Sequence, residues 1–499
     1  MSVRRVSWSL CVSLAWLSLL WVTHAAPGQE TASHAEPDET RSAHSASGER
    51  SRFRTNELLG VEPTFFDDFV DGEPLTPGQR EQMLLLINRL KRIPVGTAEM
   101  VSRRPLAVAA ITDDPAQARG DLFSILGTAT EVTRENVPAE DQERLGFDTY
   151  YRCTIQSLGV PITLYARHIP GAWALDKPLN EPCGVISVFL QTLPRDLDED
   201  NRQTEGVELL FVADRVGWYP DELLGHLDMD VSLFEDVQDR KPLKERECFY
   251  QLLAAVRSDK GGRIEKAGRQ RLTEERKRLE ALVGNPDVDA KARAAAERGM
   301  ERIEQGALDV VPLFNEPAKQ RGELFVLAGE ALRAIRVRVD DEDIQRRFGI
   351  DHYYEVEIVT PDSQNNPIVC CVAELPPGMP TGESIHENVR VTGFFLKSWA
   401  FNTRTSLDSE ESPGEAKRKQ LAPLLVAKTI QWLPSRAIVP PQSVKLAVGL
   451  LAAILALGVA MWLVRRSDRQ AHAQVESSPG STPPHVSLDH LHDKSDDGA

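Results

Sequence analysis

Between residues 79 and 92 the apolar side chains Met83, Leu86, Ile87 and Leu90 recur at helical spacing, which predicts an amphipathic helix with one face on a core. Residues 245–257 repeat the pattern with Phe249, Leu252, Leu253 and Val256. Downstream of each helix the period changes to strand-like alternation. LFSILGTATEV (122–132), TYYRCTI (149–155), ITLYARHI (162–169), VISVFL (185–190) and VELLFVADRV (207–216) predict five strands, the first broken by Gly127. After the second helix a strand carrying Gly329, then HYYEVEIV, PIVCCVAEL, VRVTGFFLKSW and APLLVAKTI, give five more. A glycine inside a strand marks a bulge or a sharp bend.

The two series are copies of one unit. RGDLFSILGTATEVTR (119–134) returns as RGELFVLAGEALRAIR (321–336), Leu58-Leu59-Gly60 as Leu223-Leu224-Gly225, and FFDDFVDGEPL as SLFEDVQDRKPL. REQMLLLINRL returns as RECFYQLLAAV, GFDTYY as GIDHYY, and FVADRVGWYP as LVAKTIQWLP. The order holds throughout, so the chain carries an internal duplication. Copy one spans 56–222, with its helix at 79–92 and its strands at 120–220; copy two spans 223–435, with its helix at 245–257 and its strands at 320–434.

Five strands, the first long and bent at a glycine, resemble the OB-fold, whose first strand serves both halves of a small barrel. The resemblance rests on strand count, the bend and the V-x-V-x-G-F-F pattern. It covers 120–220 and 322–434. The link at 170–184 departs from that pattern: it is rich in Pro and Gly and predicts no helix, which leaves another small barrel or a sandwich open. Such barrels place ligand-stacking aromatics on the second strand. The resemblance therefore nominates Tyr150, Tyr151, Tyr353 and Tyr354, with one of each adjacent pair inward and the other outward. Arg119 and Arg321, also shared by the copies, join the tyrosines as candidate ligand-binding residues, with pairing to an acidic loop as their other reading; Asp148 and Asp351, and Trp218 and Trp432, are the remaining shared polar positions.

Copy two carries an insertion, 261–306, that reads as an αα-hairpin. LTEERKRLEALVG ends at Gly284, and Asn285-Pro286 is expected to start the second helix over 289–305. The loops DLDEDNRQTEG (196–206) and SLDSEESPGEAKRK (406–419) are solvated and acidic or mixed in charge. Asp196, Asp198 and Asp200 have the spacing of a calcium loop but lack its glycine and its closing glutamate.

The ends set a topology. Arg4 and Arg5 precede an apolar run from Val6 to Val22, and Ala25 offers a small residue for cleavage. Residues 1–25 read as a signal peptide, with an uncleaved anchor as the rival. Residues 446–464 are apolar and uncharged, about 28 Å of helix. Arg465, Arg466 and Arg469 follow as a stop-transfer flank. This predicts a single-pass protein with 26–445 extracytoplasmic, a Pro-containing spacer at 436–445, and 465–499 as a cytoplasmic tail. The leader 26–55 and the tail have the composition of disordered chain, and His485, Asp489, His490 and His492 in the tail form no compelling metal set.

Net charge is −17, which disfavours a phosphate backbone as partner. Beyond Cys11 the cysteines are Cys153, Cys183, Cys248, Cys370 and Cys371, too sparse for a disulfide framework. No Asn-x-Ser/Thr occurs, and a bacterial envelope is favoured. No nucleotide-cradling, hydrolase, zinc or redox motif is present. The expectation is an α+β protein: two helix-plus-OB-like-barrel modules, a hairpin insertion and one transmembrane helix. It is read as a non-catalytic scaffold or interaction protein, with no cofactor, membrane contact through 446–464 and an envelope protein as partner. The alternative is a barrel that binds an oligosaccharide, peptide or nucleic-acid strand.

Overall fold

The computed structural model describes residues 55–194, 208–402, 419–434 and 441–475. The N-terminal apolar run, the leader up to residue 54, the polar loops at 195–207 (with Asp196, Asp198 and Asp200) and 403–418, residues 435–440 of the spacer, and His485, His490 and His492 of the tail lie outside the described residues.

After a 3-10 turn at Pro63–Phe66, module one carries helix α1 (Pro77–Leu90). Thr76 closes a capping box with Gln79, and Pro77 occupies the first helical position. Three short helices follow: α2 (Val95–Val101), α3 (Val108–Asp113) and α4 (Pro115–Ala118). Then come β1 (Leu122–Asn136), helix α5 (Ala139–Leu145), β2 (Thr149–Ser157), β3 (Val160–His168), β4 (Glu181–Leu193), β5 (Glu208–Arg215) and the two-residue β6 (Gly217–Trp218). The strands join in the order β1-β2-β3-β5-β4, and β4 returns to β1. Every contact in this ring is antiparallel except β3 with β5.

Module two repeats the plan. Helix α6 (Arg246–Ser258) precedes the hairpin α7 (Arg263–Gly284) and α8 (Ala290–Glu304), then the short α9 (Val311–Asn315) and α10 (Pro317–Gln320). Strand β7 (Leu324–Arg338), helix α11 (Glu342–Phe348), β8 (His352–Val359), β9 (Ile368–Val372), β10 (Glu387–Asn402) and β11 (Lys419–Leu433) follow. These five strands form a closed barrel, β10-β11-β9-β8-β7. Helix α12 (Pro441–Val475) contains Leu446–Ser467, long and apolar enough to cross a membrane.

Ring closure depends on the first strand having two neighbours. β1 pairs with β4 over Leu122–Ala129 and with β2 over Thr128–Asn136. At the crossover a Cβ on Gly127 would lie 2.5 Å from the Gln156 carbonyl oxygen, and one on Gly329 would press on that of Val359. A register shift follows at Thr130 and, in module two, at Leu332. The loops after β3 and β9 lie against this bulge: Leu179 N donates to Thr130 O and Ile385 N to Leu332 O, both at 2.8 Å. The link that predicted no helix is thus held as a backbone strap. The short helix of each module sits instead between the first two strands, as α5 and α11, and ends at Gly146 or Gly349 in the left-handed conformation.

The barrel walls are buried on both faces. In module one Ile125, Cys153, Leu164, Phe189 and Phe211 fill the interior. Met83, Leu84, Leu86 and Ile87 of α1 pack outside on Tyr150, Tyr165, Val188, Leu210 and Val212. In module two Cys370 belongs to the inner core and Cys371 to the layer under α6. All five of these cysteines are free and buried.

The hairpin differs from expectation at its turn. Helix α8 starts at Ala290 because Asp289, not Asn285, accepts the capping bond, from Ala292 N at 2.7 Å; the Asn285 side chain accepts from Asp287 N within the turn. Helix α7 starts earlier than the apolar pattern shows, because Asp259 accepts from the backbone of Arg263 and Ile264. Gly268 then lets α7 approach Val326 and Thr392 of the barrel wall.

One buried charge distinguishes module two. Lys397 is fully buried and its Nζ lies 2.9 and 3.0 Å from the Glu245 carboxylate oxygens. Gln191, its counterpart, donates to the Glu73 carbonyl. Burial opposes the Glu245 charge, but hydrogen bonds from Gln238 N, Lys397 and Lys244 N outweigh it and hold this carboxyl below the usual range.

Two outcomes follow. Gly127→Ala or Gly329→Ala should cost about 2–4 kcal/mol in urea unfolding, because backbone rather than a flexible side chain must move. The Glu245 stabilisation is full above an unfolded carboxylate titration near about pH 4.3 and is lost as pH falls through the lower folded value. Glu245→Gln should therefore flatten the fall of melting temperature below about pH 4. An unchanged slope would contradict the assignment.

Candidate functional site

The nominated residues are engaged inside the modules. Tyr150 is buried under α1, its hydroxyl donating to Glu135 at 2.7 Å, and burial with that carboxylate pushes the phenol up. Tyr353 packs edge-on against Phe249 at 5.3 Å between centroids. Tyr151 and Tyr354 pack against the barrel interiors. Alternation places the pairs as expected, but the outward ring faces a helix rather than solvent. Tyr150 is buried, whereas Tyr151, Tyr353 and Tyr354 are half-buried and keep part of their surface open.

Arg119 and Arg321 each meet an acidic loop. Arg119 binds Asp71 and donates from Nε to the Leu190 carbonyl, at a bulge in β4, at 2.8 Å. Asp71 also accepts from Thr192 N. Arg321 binds Asp239 at 2.6 Å, and Asp239 accepts from Ser398 N at 2.8 Å. Gly120 and Gly322, both at positive φ, follow the arginines and abut Phe66 and Phe234. Trp218 and Trp432 donate from the indole to Glu181 and Glu387, both at 2.8 Å. These shared residues clasp each module's own loops and strands.

The arrangement with outward reach joins the modules. Arg347 of α11 is 5% exposed at its side chain. It forks onto Glu99 of α2 at 2.8 and 3.1 Å, onto Glu247 of α6, and reaches Asp343 at 3.5 Å. A Cβ on Gly96 would collide with Asp343, so that glycine admits α2 to the groove. Beside it Arg215 pairs with Asp236 at 2.6 Å, Gly171 N donates to Glu235 at 2.7 Å, and Trp218 N donates to Asp230 at 2.8 Å. The contact is a charged one: an acidic short helix and an arginine from module one against an arginine and carboxylates of module two.

Sequence reasoning missed this site, although its signal repeats. Arg144 and Arg347 both precede a Gly-x-Asp, and Arg80-Glu81 recurs as Arg246-Glu247. On module one a cavity of about 600 Å³ is lined by Asp68, Glu81, Gln82, Leu85 and Arg144, among others. Arg144 pairs there with Glu81 at 2.7 Å and with Asp141, and is 46% exposed.

The chain is thus a duplicated α+β protein, with two sheets of five to six strands, bearing one apolar C-terminal helix. No family model matches it. No curated protein matches it either. Among solved structures, a deletion mutant of the single-stranded DNA binding protein from Thermus aquaticus matches over 64% of this chain and 96% of its own. The identity is 8% and the TM-score 0.14, and no argument rests on that likeness.

Replacing Arg347 by Ala leaves Glu99, Glu247 and Asp343 facing one another. It should cost about 3–5 kcal/mol, as expected when one partner of a buried charge group is removed. Limited proteolysis should then cut the linker at 219–230, and an unchanged digestion pattern would show that this contact does not hold the modules together.

Proposed function

We propose that this chain is a membrane-anchored, non-catalytic interaction protein whose two extracytoplasmic modules are OB-fold barrels. The observation that carries the reading is the Arg347 groove, in which one module already recognises a neighbouring protein surface. Support for the OB assignment comes from the ring order with parallel third and fifth strands and the shared first strand. The helix Leu446–Ser467, whose apolar run ends at Arg465 and Arg466 with Arg469 close behind, supports insertion with the tail 465–499 cytoplasmic. An envelope protein is the expected partner. A net charge of −17 argues against nucleic acid, and no cofactor is invoked. The ligand-binding alternative draws on the tyrosines, of which Tyr150 is buried and Tyr151, Tyr353 and Tyr354 are half-buried.

Two measurements test this. External protease on intact cells should digest the modules and spare the tail; the reverse pattern would overturn the topology. The full chain in detergent should show no rise in melting temperature with glycans, nucleotides, oligonucleotides or metal ions, since a ligand that binds only the native state must raise it. A reproducible rise would overturn the non-catalytic interaction reading.

A further inference from the structure

The contact between the modules is head-to-tail, and one of its halves is present twice. On module two the acceptor residues are Asp236, Glu247 and Arg347. Two clasps set the correspondence with module one: Asp71 stands for Asp239 and Phe66 for Phe234, so Asp68 stands for Asp236. The pairs Arg80-Glu81 and Arg246-Glu247 equate Glu81 with Glu247, and the shared Gly-x-Asp equates Arg144 with Arg347. Asp68, Glu81 and Arg144 are therefore the same three acceptor positions, and all three line the cavity described above. The inner polar arrangement is also kept, since Arg144 bridges to Glu81 as Arg347 does to Glu247.

The two grooves differ in what covers them. Arg347 is 5% exposed beneath Glu99, whereas Arg144 is 46% exposed. Gln82 at the cavity wall carries a buried side-chain oxygen without a hydrogen-bond partner. Among the described residues, Arg144 pairs only with Glu81 and Asp141 of its own module, where Arg347 also meets Glu99 of the other.

We propose that the Asp68–Glu81–Arg144 groove is a docking site for a separate polypeptide that presents a carboxylate on a short helix and a basic side chain beside it. The carboxylate pairs with Arg144 as Glu99 does with Arg347. The basic group pairs with Asp68 as Arg215 does with Asp236. Among its described residues a second copy of this chain offers no free equivalent of that surface. Its α2 and Arg215 are engaged within the chain. In module two the hairpin replaces α2, and Thr429 stands at the position of Arg215. This rests on the interaction reading above and names the surface and the chemistry of the partner.

The probe is a helix-stabilised, fluorescently labelled peptide of residues 91–106, the segment that fills the groove of module two. The full chain in detergent should bind it saturably. Arg144→Glu should weaken binding by about tenfold or more, as expected for a close interfacial charge pair. A peptide carrying Glu99→Lys should bind the Arg144→Glu chain better than the native chain, which a merely unfolded variant would not do. Absence of binding, or binding indifferent to Arg144→Glu, would overturn the groove assignment. Sedimentation that shows a concentration-dependent dimer lost in Arg144→Glu would overturn the separate partner in favour of a second copy. A melting-temperature rise with a small ligand would sink the parent reading whatever the peptide does, so the two failures are distinguishable.

Discussion

A five-stranded ring closes here only because one strand hydrogen-bonds to two neighbours in succession. β1 serves β4 with its first half and β2 with its second, and β7 does the same in module two. The change of partner brings backbone into contact with backbone at Gly127 and Gly329, where no side chain fits. The bulge just beyond re-aims the strand and leaves a carbonyl that the loop after β3 or β9 satisfies. The start of the first strand is tied down as well, since the arginine that precedes it is held by the acidic loop.

That closure explains the chemistry of the wall. A ring with a helix on its outside buries both faces of the covered strands, so alternation gives way to continuous apolar runs. Leu424 and Val426 pack under α6 while Leu425 and Ala427 face the barrel interior. The outward tyrosines of the second strand follow the same rule: Tyr150 is buried beneath α1, and Tyr353 packs half-buried against the layer under α6. The polar residues shared by the copies therefore divide into two kinds. Arg119, Arg321, Trp218 and Trp432 hold loops and strand ends within their own module. Arg144 and Arg347, with Glu81 and Glu247, sit where a module meets what lies beyond it.

Duplication gave the two grooves different neighbours. In module two Arg347 is surrounded by three carboxylates, one supplied by the other module, and its fork satisfies two of them in a largely buried setting. Net charge alone would not favour a chain this acidic pairing with itself. The contact works because guanidinium groups at both edges, Arg347 and Arg215, offset the carboxylates that meet there.

The sequence by itself determined the duplication, the paired helices with their buried faces, the strand count, the glycine in each first strand and the apolar run near the C-terminus. Each of these is a local or periodic property: Met83, Leu86, Ile87 and Leu90 declare a face through spacing alone, and Gly127 and Gly329 declare a bend by matching across copies. It also paired the arginines correctly with an acidic loop, because an arginine repeated before an apolar strand must find a counter-charge. Tertiary structure alone decided that Tyr150 and Tyr353 lie beneath helices, that Asp289 rather than Asn285 starts α8, and that Glu99 reaches Arg347. Those outcomes depend on which surfaces meet after folding. Glu99 and Arg347 are 248 residues apart, and no periodicity links a short helix in one copy to an arginine in the other.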